Sequence, residues 1–196
     1  MSRGKFQQAI QEIDQLNAQD PNTEFYKGTD YPKELLYAQR MSDALDQFEP
    51  QAEESLKIAA RAQHIARWKI ERDSYPMDRE GYLRWRTDLK KMHADLTTSL
   101  LEKVGYTSEF TKEVSDLIQK KLLKKNEDAQ TLQDVVCLVF LDYYFVEFSE
   151  KHTEEKLIGI LQKTWAKMSE RGRSAALALN LSSPTRALIE KALSEK

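Results

Sequence analysis

The sequence predicts an all-α protein, and three observations carry that expectation. Gly and Pro are scarce, at 6 and 5 of 196 residues. Leu, Ala, Lys, Glu and Gln, all strong helix formers, recur throughout. Apolar residues return every three or four positions over most segments, which is the spacing of a helix face and not the alternation of a strand. A chain of this length forms one compact domain by default, and the expectation here is a single domain over 1–196.

Each element follows from local signals. Phe6, Ile10, Ile13 and Leu16 share a helical face, and Asp20-Pro21-Asn22 ends that segment. Asp30 before Tyr31-Pro32 reads as the start of a second helix running to Phe48, with Pro in the first turn, where its missing N–H costs nothing. Pro50 closes it. A third helix is expected from Glu53 to Lys69, which would place His64 in a helix interior with Arg61 and Arg67 one turn to either side. The segment ERDSYP is then a loop, because a residue before Pro is pushed out of the α region. A long helix from Asp78 to Val104 has Asp78 as its N-cap and Gly105 as its stop, and Thr107 or Ser108 caps the next. After the polar loop LKKNEDAQ, residues Thr131–Glu150 are apolar on nearly every side and predict a buried helix. Helices over 154–168, near 172–179, and from Ser183-Pro184 to Leu193 complete the chain.

Charge and composition exclude several classes. The net charge of −2 conceals an uneven spread: residues 1–60 hold 6 Lys/Arg against 11 Asp/Glu, residues 61–90 hold 8 against 5, and the remainder 16 against 16. A local surplus of three fits a small anionic ligand and not a long nucleic acid. The most apolar run, VVCLVFL, meets Asp142 after seven residues, well short of the roughly 20 that span a bilayer, so no membrane segment is expected. A single cysteine, Cys137, and an N-terminus without an apolar leader point to the cytoplasm. No GxGxxG, Walker loop, HExxH or CxxC is present, which removes the Rossmann, P-loop and zincin readings.

The chemistry-bearing residues concentrate in one window. Residues 59–86 read AARAQHIARWKIERDSYPMDREGYLRWR, with Arg61, Arg67, Arg72, Arg79, Arg84 and Arg86 set among Trp68, Tyr75, Tyr82 and Trp85. An Arg fork binds phosphate bidentately and aromatic rings stack on bases or on guanidinium, so the window suits a phosphate-ester pocket. It equally suits structural packing, with arginines laid across aromatic faces. His64 and His93 occupy helix interiors and His152 the surface. Asp134 and Asp142 sit in an apolar helix and need a partner: helix-dipole and capping stabilisation for Asp134, a cation from a neighbouring helix for Asp142.

Two resemblances build on these residues. YAQRM, AARAQHI, KMHADLTTSLLEKVGY and LQDVVCLVF, over about residues 34–142, resemble in order the motifs of the HD-domain superfamily of helical metal-dependent phosphohydrolases. Tyr37 stands where that family has its first His, Gln63 and His64 stand at its His-Asp dyad, and Asp134 keeps the expected type. The whole chain also resembles the DUF4202 family, a domain of unknown function, through LLYAQRMSDAL, AARAQHIARWKIERDSYPMDREGYLRWRTDLKKMHADL, LQDVVCLVFLDYYF and EEKLIGILQKTWAKMSERGR. The HD resemblance implies an HD-like core at about 30–150 with the C-terminal helices 154–195 packed on it.

The resulting expectation is a hydrolase of a phosphate-bearing small molecule, a nucleotide among the candidates, with His64, His93 and Asp134 holding a divalent metal (Mn, Fe, Ni or Zn) that activates water. His64 and Asp134 are its catalytic pair, and Tyr37, Arg40, Arg61, Gln63, Arg67, Arg79 and Arg86 contact the substrate. The rival readings are an HD-like domain that has lost its metal and binds a nucleotide or other anion, and a helical adaptor that docks an acidic protein.

Overall fold

A computed structural model describes residues 4–121, 123 and 125–194. The chain is predominantly helical, as its composition predicts, and its contacts fall into two compact units, Met1–Leu122 and Leu123–Lys196. No helix among the described residues is long and apolar enough to cross a membrane.

The N-terminal unit contains α1 (Lys5–Asn17), a hairpin of β1 (Thr23–Tyr26) and β2 (Thr29–Pro32), then α2 (Lys33–Phe48), α3 (Glu54–Arg61), α4 (Arg79–Val104) and α5 (Ser108–Ile118). The hairpin adds to the expected elements, filling the segment between Asp20-Pro21-Asn22 and the second helix. Its strands pair antiparallel with Tyr26 opposite Thr29, leaving a two-residue loop. Lys27 and Gly28 there have φ of 49° and 84°, the left-handed pair that matches strand twist. The core is built from Ile13 on α1, Leu36, Met41 and Leu45 on α2, Leu56 and Ile58 on α3, and Leu101, Val114 and Ile118 further on, all buried.

Several boundaries follow the capping signals. The Asp78 side chain accepts from Gly81 N–H at 2.7 Å and opens α4, Gly105 closes it at φ 94°, and Thr107 accepts from Phe110 N–H to open α5. The second helix begins at Lys33, not at Asp30, with Asp20 accepting from the Glu34 N–H at 3.0 Å. The third helix is shorter than expected. It stops at Arg61, and the chain passes through tight turns and a 3-10 segment at Arg67–Lys69, so His64 lies in a turn and not in a helix interior.

The C-terminal unit contains α6 (Glu127–Val139), α7 (Phe145–Ser149), α8 (Glu154–Lys167), α9 (Glu170–Ala178) and α10 (Ser183–Ser194). The single helix expected over Thr131–Glu150 is interrupted by a π-helical turn at Phe140–Tyr144. Asp142 is exposed on that turn, so water solvates it and the expected interhelical cation is not required. Cys137 is buried, with Gln133 Nε2 3.1 Å from its Sγ.

The start of α4 yields a test. A Cβ added at Gly81 would lie 2.1 Å from the Pro76 carbonyl oxygen, which the Arg72 guanidinium also holds at 2.9 Å. Gly→Ala inside a helix ordinarily stabilises by about 0.5–1 kcal/mol. Gly81→Ala should instead destabilise by about 1–3 kcal/mol, the cost of an overpacked contact, as read from urea unfolding midpoints.

Candidate functional site

The N-terminal unit gathers Glu34, Tyr37, His64, Arg67, His93 and Trp85 around one segment, residues 62–66. Two buried polar groups fix that segment. Asn17, at the end of α1, accepts the Ala66 N–H on its Oδ1 at 3.0 Å, and the His93 Nδ1–H donates to the Ile65 carbonyl at 2.7 Å. Between them they hold Ala66 at φ 53°, a left-handed conformation that costs a non-glycine residue about 1–2 kcal/mol. The chain turns there, and His64 and Arg67 leave it on different partners.

The His64 ring stacks on Tyr37 at 3.9 Å between centroids with 11° between planes, and His93 lies 6.0 Å away. Arg67 Nη1 is 3.1 Å from His64 Nε2. A guanidinium only donates, so Nε2 is the acceptor and the proton of the neutral ring is on Nδ1. That nitrogen faces Glu34 Oε2 at 3.4 Å. The other Glu34 oxygen is 3.9 Å from Arg67 Nε. Arg67 then reaches over the Trp85 ring at 4.9 Å, and the indole N–H is held by the Ile70 carbonyl at 2.9 Å.

Electrostatics follow from this packing. Burial raises the Glu34 carboxyl to about 7 from an ordinary 4.5; Arg67 opposes the shift, Asp20 adds to it, and His93 and Lys33 oppose it. Burial also holds His64 well below 6.5, reinforced by the charges of Arg67, Lys120 and Arg86. His93 is lowered to about 3, by burial first and then by His64. Both rings are neutral at physiological pH.

The sequence-predicted residues divide. Tyr37, His64, Arg67 and His93 come together, and Arg86 contributes its charge there while its Nη1 donates to the Tyr82 hydroxyl at 3.3 Å. Gln63 is buried in the same segment, and its Oε1 has no hydrogen-bond partner. Arg61 is committed elsewhere, with two bonds of 2.7 Å to Asp14. Arg40 fastens the hairpin, through Glu24 at 2.6 Å and the Tyr26 ring at 4.8 Å. Arg79 is exposed at the start of α4.

Asp134 belongs to the C-terminal unit and has a partner set of its own. It accepts from the Ser169 N–H at 2.9 Å, from the Ser169 hydroxyl and from Gln130 Nε2 at 3.1 Å, while Ser169 Oγ accepts from Gly172 N–H. Its carboxylate therefore supports the N-terminus of α9, not of its own helix. A Cβ at Gly172 would fall 2.5 Å from Asp134 Cγ, so glycine is what lets the acid approach.

Two of the three donors expected for a divalent ion are already engaged in hydrogen bonds. In His64 the Nε2 lone pair is taken by a guanidinium and Nδ1 carries the proton, and the Asp134 oxygens are occupied by Ser169 and Gln130. Among the described residues no group of three His, Cys, Asp or Glu side chains is placed to hold a metal. A groove of about 480 Å³, lined among others by Phe6, Ile10, Asp14, Leu35 and Gln39, contains none of the expected site residues.

Sequence reasoning missed Glu34 and Lys120. Glu34 could have been found: it shares a helical face with Tyr37, Met41 and Leu45, all buried, so an acid there is an acid in the core.

The family model described as Domain of unknown function (DUF4202) matches residues 7–189. Comparison with curated proteins and with solved structures gives no match.

The opposed shifts set a pH dependence. Glu34, raised to about 7, contributes stability that is fully present below its unfolded value of 4.5 and is lost as pH rises through 7. His93, lowered to about 3, contributes stability that is present above its unfolded value of 6.5 and is lost as pH falls toward 3. Glu34→Gln removes the alkaline loss only. Its stability relative to wild type should therefore be higher at pH 8 than at pH 5 in urea unfolding; a difference independent of pH would show that Glu34 ionises normally.

Proposed function

The chain belongs to the DUF4202 family, and for this member we propose the binding of a small phosphate-bearing anion by Arg67, with His64 and Glu34 beside it. The observation that supports the reading is how incompletely the charge of Arg67 is answered. Its side chain is a third exposed, and Glu34 stands 3.9 Å away, beyond hydrogen-bond reach. Glu34 is moreover only half ionised near neutral pH. A partly open guanidinium with a weak counter-charge presents a fork that phosphate oxygens satisfy bidentately.

The surroundings favour the same ligand. The charges of Lys120 and Arg86 fall on the His64 ring together with that of Arg67, so the field at this end of the unit is positive although the chain as a whole is not. This is the metal-free binding reading among those raised by the sequence.

One observation favours a second reading, hydrolysis of the bound ester. A carboxylate titrating at about 7 is matched to proton transfer at neutral pH. Glu34 would take a proton from water as the water oxygen attacks phosphorus and the ester oxygen departs with the bonding pair. Arg67 would hold the phosphoryl oxygens throughout.

Calorimetric titration with inorganic phosphate and simple phosphate monoesters separates these readings. Arg67→Ala should weaken binding at least about tenfold, and Arg67→Lys should fall between it and wild type because it keeps the charge and loses the fork. No binding to wild type, or equal binding to Arg67→Ala, would overturn the assignment. Release of inorganic phosphate that falls at least about a hundredfold in Glu34→Gln would establish the hydrolytic version.

A further inference from the structure

We propose that the site grips its ligand through the phosphate alone, with no ring of the ligand stacked on the protein. The class admitted is then phosphate monoesters of small alcohols, with a nucleotide accepted as one more monoester and not read by its base. This inference rests on the anion-binding reading above and narrows it.

A base-reading pocket needs an open aromatic face, because stacking is what holds a base without regard to its edge. The rings in contact with His64 and Arg67, Tyr37 and Trp85, do not offer one. Tyr37 is 8% exposed and carries the parallel His64 ring at 3.9 Å. Trp85 is likewise 8% exposed, with the guanidinium groups of Arg67 and Arg72 4.9 and 5.9 Å from its ring and its N–H spent on Ile70. Tyr82 is more open, at 42%, yet Arg72 and Arg86 lie 5.9 and 5.7 Å from its ring and its hydroxyl accepts from Arg86. The same arginines that make the window basic therefore lie against the rings of Trp85 and Tyr82, and Tyr82 is the more open of the two.

The groups that could read a base edge are closed off as well. The unpartnered amide atoms of Gln63 and Asn17 sit on side chains 5% and 0% exposed, out of reach of a ring-sized group. What remains accessible is the Arg67 guanidinium and one side of the His64 imidazole, whose side chain is 24% exposed.

Calorimetry with ribose 5-phosphate, AMP and adenosine on the full chain tests this directly. AMP and ribose 5-phosphate should bind within about fivefold of each other, the smallest gain a stacked base would bring, and adenosine should not bind. Arg67→Ala should weaken both phosphates equally. If AMP binds more than about fivefold tighter than ribose 5-phosphate, and the preference disappears in Tyr82→Ala, the base is stacked and this inference falls while the anion site stands. If neither phosphate binds, the anion site itself falls and takes the inference with it.

Discussion

Ala66 is fully buried, lacks the freedom of glycine, and still adopts a positive φ. Its own N–H explains how this persists: Asn17 supplies an acceptor at 3.0 Å in the interior, where an unpaired amide would cost more than the backbone strain. His93 adds the second tie one residue earlier, on the Ile65 carbonyl. The arrangement of the N-terminal unit's polar residues depends on these two bonds. Without the turn, α3 would continue, and Arg61, His64 and Arg67 would line one continuous face at three-residue spacing. With it, the three part company: Arg61 goes to Asp14, His64 to Tyr37 and Arg67 to Trp85.

The crowding of arginines and aromatics in residues 61–86 thus has two explanations that hold at different positions. Arg72 is a brace. Its guanidinium bonds the carbonyls of Tyr75, Pro76 and Asp78 and so shapes the loop ahead of α4. Arg61 is the half-buried ion-pair partner of Asp14, and Arg86 lies against Tyr82. Arg67 alone of this set combines partial exposure with a carboxylate held at arm's length. Bracing, ion pairing and, on the reading proposed above, anion binding are divided among the arginines, which no count of residues in a window can resolve.

What was legible in the sequence was what local chemistry decides. Asp78, Gly105 and Thr107 cap helices because their side chains or backbone freedom act within a few residues, and those boundaries came out as expected. The hairpin is not among the expected elements: Lys-Gly between TEFY and TDYP is a weak turn signal, and Asp30-Tyr31-Pro32 carries the signals of a helix start. The end of α3 was not legible. AARAQHIARWK contains no breaker, and the groups that stop the helix, Asn17 and His93, lie 49 and 28 residues from their bonding partners. Asp134 shows the same limit: dipole and capping stabilisation in its own helix is the expected support for its acid, whereas its bonds go to Ser169, 35 residues later, at the start of α9.

The contrast between two ion pairs of the same unit bears on what the Glu34 site is for. Arg61 and Asp14 meet in two parallel bonds of 2.7 Å, the geometry that best offsets the desolvation of both charges. Glu34 and Arg67 stop at 3.9 Å, with the acid more deeply buried and partly protonated as a result. A fold selected for stability alone has no reason to bury a carboxylate without closing its pair, since the penalty of burial remains and the compensation does not. Here the His64 ring stands against both partners, its Nε2 3.1 Å from Arg67 Nη1 and its Nδ1 3.4 Å from Glu34 Oε2. That ring is in turn held by Tyr37 and by the strained turn at Ala66. A strained backbone, an open ion pair and a buried acid held near neutrality thus meet around Ala66, Glu34, His64 and Arg67, and this clustering of locally unfavourable choices is what the anion-binding proposal rests on.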